Sequence, residues 1–152
     1  LLSRVREGAA LFILDNADEE GGESNANGLL RLVGMEITRA DTVGPARFYG
    51  IGDFGGADPA IREDLSAIPL TANADAVTGG EGLMEDAAGN HIFSLTRVGD
   101  GAIAVFTDPD LFYNLELGDV SANLTDRTRQ LTRLEFQIMK LLAERKGESH
   151  AP

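Results

Sequence analysis

The chain has 152 residues, 43 % of them hydrophobic, and a formal net charge of −12. That length fits one domain with a real core, the acidity argues against general nucleic-acid binding and anionic membrane surfaces, and no apolar run approaches a bilayer span. With no cysteine, disulfides, thiolate metal sites and a cysteine nucleophile are excluded outright.

The first residues, LLSRVREGAA, lack the long apolar core of a signal peptide and read as the end of a helix over 1–7, capped by Gly8. The chain begins inside that helix, so a piece cut from a longer protein is expected. Ala10 to Leu14 (ALFIL) is a continuous apolar run ending in Asp15, the pattern of a strand covered on both faces, as in a parallel sheet. The polar, glycine-rich DNADEEGGESNANG that follows predicts a surface loop. Ser24 or Asn25 then caps a helix over 25–34, with Leu29, Leu30 and Val33 inward and Gly34 at its end.

Short strands are expected at Met35–Ile37, Ala67–Leu70 and Ala74–Val77, and residues 47–54 are strand or glycine-rich loop. Turns at Ala88–Asn90 and Gly99–Gly101 punctuate β structure, pairing 92–98 with 102–107 as an antiparallel hairpin. Near the end, Leu131, Leu134, Ile138, Leu141 and Leu142 recur at helical spacing. They predict a long helix from Thr125 to Lys146, with Phe136 and Met139 widening its stripe to fit a deep groove. Lys140, Arg145 and Lys146 suit the negative end of its dipole and Gly147 its stop, so the domain is expected as 1–147 and residues 148–152 as a disordered tail. The order of elements predicts an α/β layer fold, with a mostly parallel central sheet, the antiparallel hairpin and a C-terminal helix.

Three phrases carry a family resemblance. VREGAALFILDNA resembles the helix–glycine–strand step of a flavodoxin-like domain, SNANGLLRLVGMEITRADTV a leucine-rich helix passing through glycine into a new strand, and TRVGDGAIAVFTDPDLFYNLELGD a glycine turn, apolar strand, Asp, aromatic and Asn. Together they resemble non-catalytic members of the class I glutamine amidotransferase-like superfamily. That resemblance implies a flavodoxin-like three-layer sandwich. It also implies a setting such as bacterial envelope proteins, auxiliary proteins of ABC transporters, or neighbours of carbohydrate-processing enzymes, in the bacterial envelope or cytoplasm. Catalytic relatives carry a nucleophilic cysteine and a late histidine; here there is no cysteine, and the histidines are His91 and His150. Glutaminase chemistry is therefore excluded by composition. The family's first strand and helix are expected ahead of Leu1.

The remaining constellations concern carboxylates and glycines. Asp15 ends one apolar strand and Asp108 the other, and open α/β sheets gather ligands beyond the carboxyl ends of their strands. Asp15, Asn16, Asp18, Asp108, Asp110 and Asn114 are thus the expected ligand-binding rim, with no catalytic residue, cofactor or metal assigned. Asp108-Pro-Asp110 also resembles the D-x-D of haloacid-dehalogenase phosphotransferases, but lacks the hydroxylated residue and lysine that follow there. Its structural reading is a strand terminator: Asp108 accepts backbone N–H groups, Pro109 fixes φ and Asp110 caps the next turn. Gly50-Ile-Gly52-Asp-Phe-Gly55 has dinucleotide-loop spacing without a helix start after it. Ser94 and His91 sit too close in sequence for a hydrolase pair, and no G-x-S-x-G elbow exists. LTRLEFQIMKLLAERKGE looks like the first helix of a response-regulator winged-helix domain, but neither recognition helix nor wing follows.

The function expected is a non-enzymatic module that binds a polar small molecule or a protein, with homo-oligomerisation as an option of the terminal helix. The alternative is a carbohydrate-active enzyme or accessory domain using Asp15 and Asp108.

Overall fold

The computed structural model describes residues 1–17, 22–49, 65–112 and 125–144. Helix α1 (Leu2–Arg6) leads through Gly8 into β1 (Ala10–Leu14). Helix α2 (Asn27–Leu30) tightens into a 3-10 turn (Arg31–Val33), and Gly34, at φ 75°, ends it as expected. Strands β2 (Glu36–Thr38), β3 (Arg47–Phe48), β4 (Ala76–Thr78), β5 (Glu81–Glu85), β6 (His91–Val98) and β7 (Gly101–Phe106) follow. A 3-10 turn (Pro109–Phe112) and helix α3 (Asp126–Glu144) complete the described chain.

The main sheet has the order β1-β7-β6-β5-β3, and β2 and β4 form a separate two-stranded sheet. β1 and β7 run parallel in register from Ala10↔Ala102 to Leu14↔Phe106. The two apolar pentads are therefore side by side and in the same direction. Every other pairing is antiparallel, which corrects the expected mostly parallel sheet. The reason lies in the connections. Gly99-Asp100 and residues 86–90 are tight turns, and a tight turn can only return the chain antiparallel. The long routes from β1 to β7, β2 to β4 and β3 to β5 leave direction free, and of these only β1 runs parallel to its partner.

The fold is thus mixed α/β, a mostly antiparallel sheet with the terminal helix on one face. Leu131, Leu134, Ile138, Leu141 and Leu142 of α3 pack with Phe93, Ala104 and Phe106. On the other face Val5, Leu30, Met35, Ile37 and Val77 meet Ile103 and Val105. Phe12 turns toward α3, whereas Leu11 and Ile13 turn to the opposite layer, the period-2 alternation of a strand. Apolar side chains are needed on both faces of β1 and β7. Yet β7 is buried throughout, while β1 lies at the sheet edge and is only half-buried.

Two further expectations change. Residues 67–70 make no strand, only a bridge between Ala46 and Ile68. Phe136 and Met139 do not join the buried stripe of α3; they are 66 % and 52 % exposed, so the helix lies on the sheet and not in a groove. Thr125 does start α3: its Oγ1 accepts the Thr128 N–H at 3.0 Å. Arg145, Lys146 and Gly147, expected at its other end, and the 148–152 tail lie outside the described residues, as does the glycine loop at 50–56.

Candidate functional site

The carboxyl ends of β1 and β7 are bridged by one segment, residues 71–75, whose sequence alternates Thr71-Ala-Asn73-Ala-Asp75. Each odd-numbered residue reaches the rim. Thr71 donates its backbone N–H to Asp108 Oδ2 (2.8 Å) and its hydroxyl to Asp108 Oδ1 (2.5 Å). Asn73 donates its side-chain amide to Asp110 Oδ2 (2.6 Å) and accepts the Asn16 amide on its carbonyl (3.3 Å). Asp75 accepts the N–H groups of Ala17 (2.7 Å) and Ala40 (3.2 Å). Its own N–H donates to the Thr107 carbonyl, and the Thr107 hydroxyl returns a bond to the Asp75 carbonyl (2.6 Å). The segment is a strap tied across the rim at every second residue.

Asp108 is fully buried. Burial pushes its carboxyl above the ordinary range, and the two Thr71 hydrogen bonds act to hold it down. The expected terminator role therefore takes a different form: the carboxylate is clamped by a residue 37 positions away rather than by its own turn. Asp15 accepts hydrogen bonds from Ser24 Oγ (2.5 Å) and from the N–H groups of Asn16 and Ala26.

The register separates the two acids. Leu14 pairs with Phe106, so Asp15 continues opposite Thr107, not Asp108. Odd positions of both strands face the α1/α2 layer and even positions face α3. Asp15 accordingly turns to Ser24 and Asp108 to the other side, each with its own donors. They share a rim but do not converge. Asp18 and Asn114 lie outside the described residues.

What the rim does form is a cleft of about 250 Å³ beside the strap, walled by Asn16, Arg39, Asp41, Thr42, Asn73 and Asp75 among others. Its wall is predominantly polar. Asp41 makes no hydrogen bond among the described residues, and Thr42 holds the Ala74 carbonyl through its hydroxyl (3.2 Å). Of these residues, sequence reasoning named only Asn16. The missed signal is the alternation of turn-forming polar residues with alanine at 71–75, which marks a turn tied down at every second residue. Among the described residues no group of three or more His, Asp or Glu is placed to hold a metal ion. His91 pairs across strands with Glu85 (3.1 Å). No described helix is long and apolar enough to cross a membrane.

No family model matches the chain, and no curated protein matches it. Among solved structures it is similar to the exo-beta-1,4-mannosidase Op5Man5 from Opitutaceae bacterium strain TAV5, at 17 % identity and a TM-score of 0.44. The likeness covers 95 % of this chain and 21 % of that one, so the chain spans about a fifth of that protein's length.

Proposed function

We propose that this chain is a non-enzymatic binding module that holds a small, uncharged, polyhydroxy ligand in the cleft beside the 71–75 strap. The observation that carries the reading is the cleft itself: about 250 Å³ of polar-walled space at the carboxyl end of the parallel β1/β7 pair, where α/β sheets present their ligands. The volume falls just below the ~300–1,000 Å³ of pockets for drug-sized ligands, which suits a small molecule. The walls offer both donors and acceptors: amides of Asn16 and Asn73, the Arg39 guanidinium and the Asp41 carboxylate. Such a mixed array suits hydroxyl groups, which donate and accept at once.

The reading is non-enzymatic because Asp75 of the cleft wall and the rim acids Asp15 and Asp108 are already committed, which leaves Asp41 as a single carboxylate there. Asp15, Asp75 and Asp108 each accept at least two hydrogen bonds from the fold, and acid–base work by a pair needs two carboxyl groups flanking one bond. The reading includes kinship with the non-catalytic amidotransferase-like domains, supported by the α1–glycine–β1 step and the parallel β1/β7 pair.

The test is thermal unfolding with neutral monosaccharides, calcium chloride or inorganic phosphate added separately. A monosaccharide at ten times its Kd stabilises by about 1.4 kcal/mol, or about 3–6 °C for a domain of this size. The shift is expected with a monosaccharide and lost in Asp41→Ala and Asn73→Ala. Stabilisation by calcium or phosphate alone, or by none of the three, overturns the reading.

A further inference from the structure

β1 is an edge strand of the described sheet. In the β1/β7 ladder the Ala9 carbonyl accepts from Ala102 and the Asp15 N–H donates to Phe106. Odd-numbered residues of β1 thus point their backbone groups inward to β7. By the alternation of a strand, Ala10, Phe12 and Leu14 point their N–H and C=O groups outward. Among the described residues no strand pairs on that side.

Natural edge strands are guarded by charge, proline, a bulge or a cover. ALFIL has no charge and no proline, and its pairing with β7 is unbroken by a bulge. Beside it runs an apolar groove of about 110 Å³ between the strand and α3, lined by Phe12, Leu14, Phe112, Glu135, Ile138 and Met139. Leu14 is 41 % exposed, and Met139 and Phe136 more so.

We propose that this edge is covered by a second copy of the same chain, β1 pairing antiparallel with its symmetry mate across a two-fold axis at Phe12. The hydrogen-bonding phase permits a second copy, and two observations favour it over an unrelated strand. The hydrogen-bonding phase is self-complementary: a two-fold at Phe12 sets Ala10 opposite Leu14 of the second copy and Phe12 opposite Phe12. Those are the positions whose backbone groups face outward, so all of them find partners. The seam is uncharged in a chain of net charge −12, and the sequence of α3 beside it carries Arg127, Arg129, Arg133 and Lys140 against Asp126, Glu135 and Glu144. Two copies therefore meet on the face where their mutual repulsion is least. Finally, when antiparallel copies of α3 set Phe136 against Met139 of the second copy, residue numbers across the axis sum to a constant. Glu135 then faces Lys140 of the second copy, opposite charge to opposite charge.

The experiment is sedimentation of the whole chain over a micromolar concentration series. The expected particle has twice the 16.2 kDa chain mass. Leu14→Lys and Phe136→Glu, both at exposed positions, are each expected to weaken the dimer at least tenfold while the unfolding temperature of the monomer stays unchanged. The pairing itself is read from Ala10→Cys/Leu14→Cys in this cysteine-free chain. Cα atoms of a hydrogen-bonded antiparallel pair lie about 5.5 Å apart, within disulfide reach, so mild oxidation is expected to give covalent dimers. A monomer throughout the series overturns the proposal. So does a dimer that survives both charge variants, or one that yields no cross-link on oxidation.

Discussion

Replacing Thr71 by valine removes one hydroxyl and nothing else of size. In the native fold that hydroxyl donates to a carboxylate with no solvent exposure, and the Thr71 backbone N–H is the other donor to it. A hydrogen bond to an ionised group contributes about 1.5–3 kcal/mol. Thr71→Val is therefore expected to cost about 2 kcal/mol at neutral pH, lowering the unfolding temperature by about 4–8 °C for a domain of this size. The pH dependence sharpens the test. Burial raises the folded carboxyl of Asp108 above its ordinary 3.8, so its contribution to stability is fullest below 3.8 and declines as pH rises through the folded value. The Thr71 hydroxyl favours the ionised form; losing it raises the carboxyl further. The cost of Thr71→Val must then grow from acid to neutral pH, whereas Thr71→Ser, which keeps the donor, costs less at every pH. Urea unfolding of the three proteins across that range provides the measurement. A cost under about 0.5 kcal/mol, within the scatter of ordinary surface changes, or one larger in acid than at neutrality, refutes the clamp.

Asp86 behaves oppositely. Burial acts to raise it, but donors from Val43, Asn90 and Ala88 outweigh that and hold it below 3.8. Its stabilisation is present above 3.8 and lost as pH falls through the lower folded value, so Asp86→Ala is expected to cost about 2–4 kcal/mol at neutral pH and less in strong acid, by the same urea assay. At Gly101 an added Cβ would stand 2.1 Å from the Val5 carbonyl oxygen and 2.2 Å from that of Ala9. Gly101→Ala must push α1 off the sheet, a loss of about 3 kcal/mol or more, seen as early hydrogen exchange across residues 2–6. Leu134→Ala, in the fully buried stripe of α3, is expected to cost about 2–5 kcal/mol in thermal unfolding.

How much of this was legible in the residues follows from what each signal depends on. The antiparallel hairpin was legible because Gly99-Asp100 is a local turn signal between two apolar runs. The buried stripe of α3 was legible from spacing alone, and so were the apolar faces on both sides of β1 and β7, but an apolar run does not state strand direction, and of the expected parallel pairs only β1 with β7 is found. The fate of Phe136 and Met139 was not, because spacing reports which residues share a helix face but not how wide a surface that face meets. The rim was half legible. Asp15, Asn16, Asp108 and Asp110 do lie at the carboxyl ends of their strands, yet the residues that engage Asp108 and Asp110 come from 71–75, far away in the chain.

The chain's own sequence determined its elements, its alternating faces, its lack of thiol chemistry and its acidic surface, because those properties depend on neighbours a few residues apart or on composition. Tertiary structure alone decided that β1 stands at the edge of the described sheet and β7 inside it, that Asp15 and Asp108 turn to opposite faces, and that a strap closes over the rim. Register, edge position and long-range clamping arise when segments distant in sequence meet, and a carboxylate's availability depends on which donors arrive there.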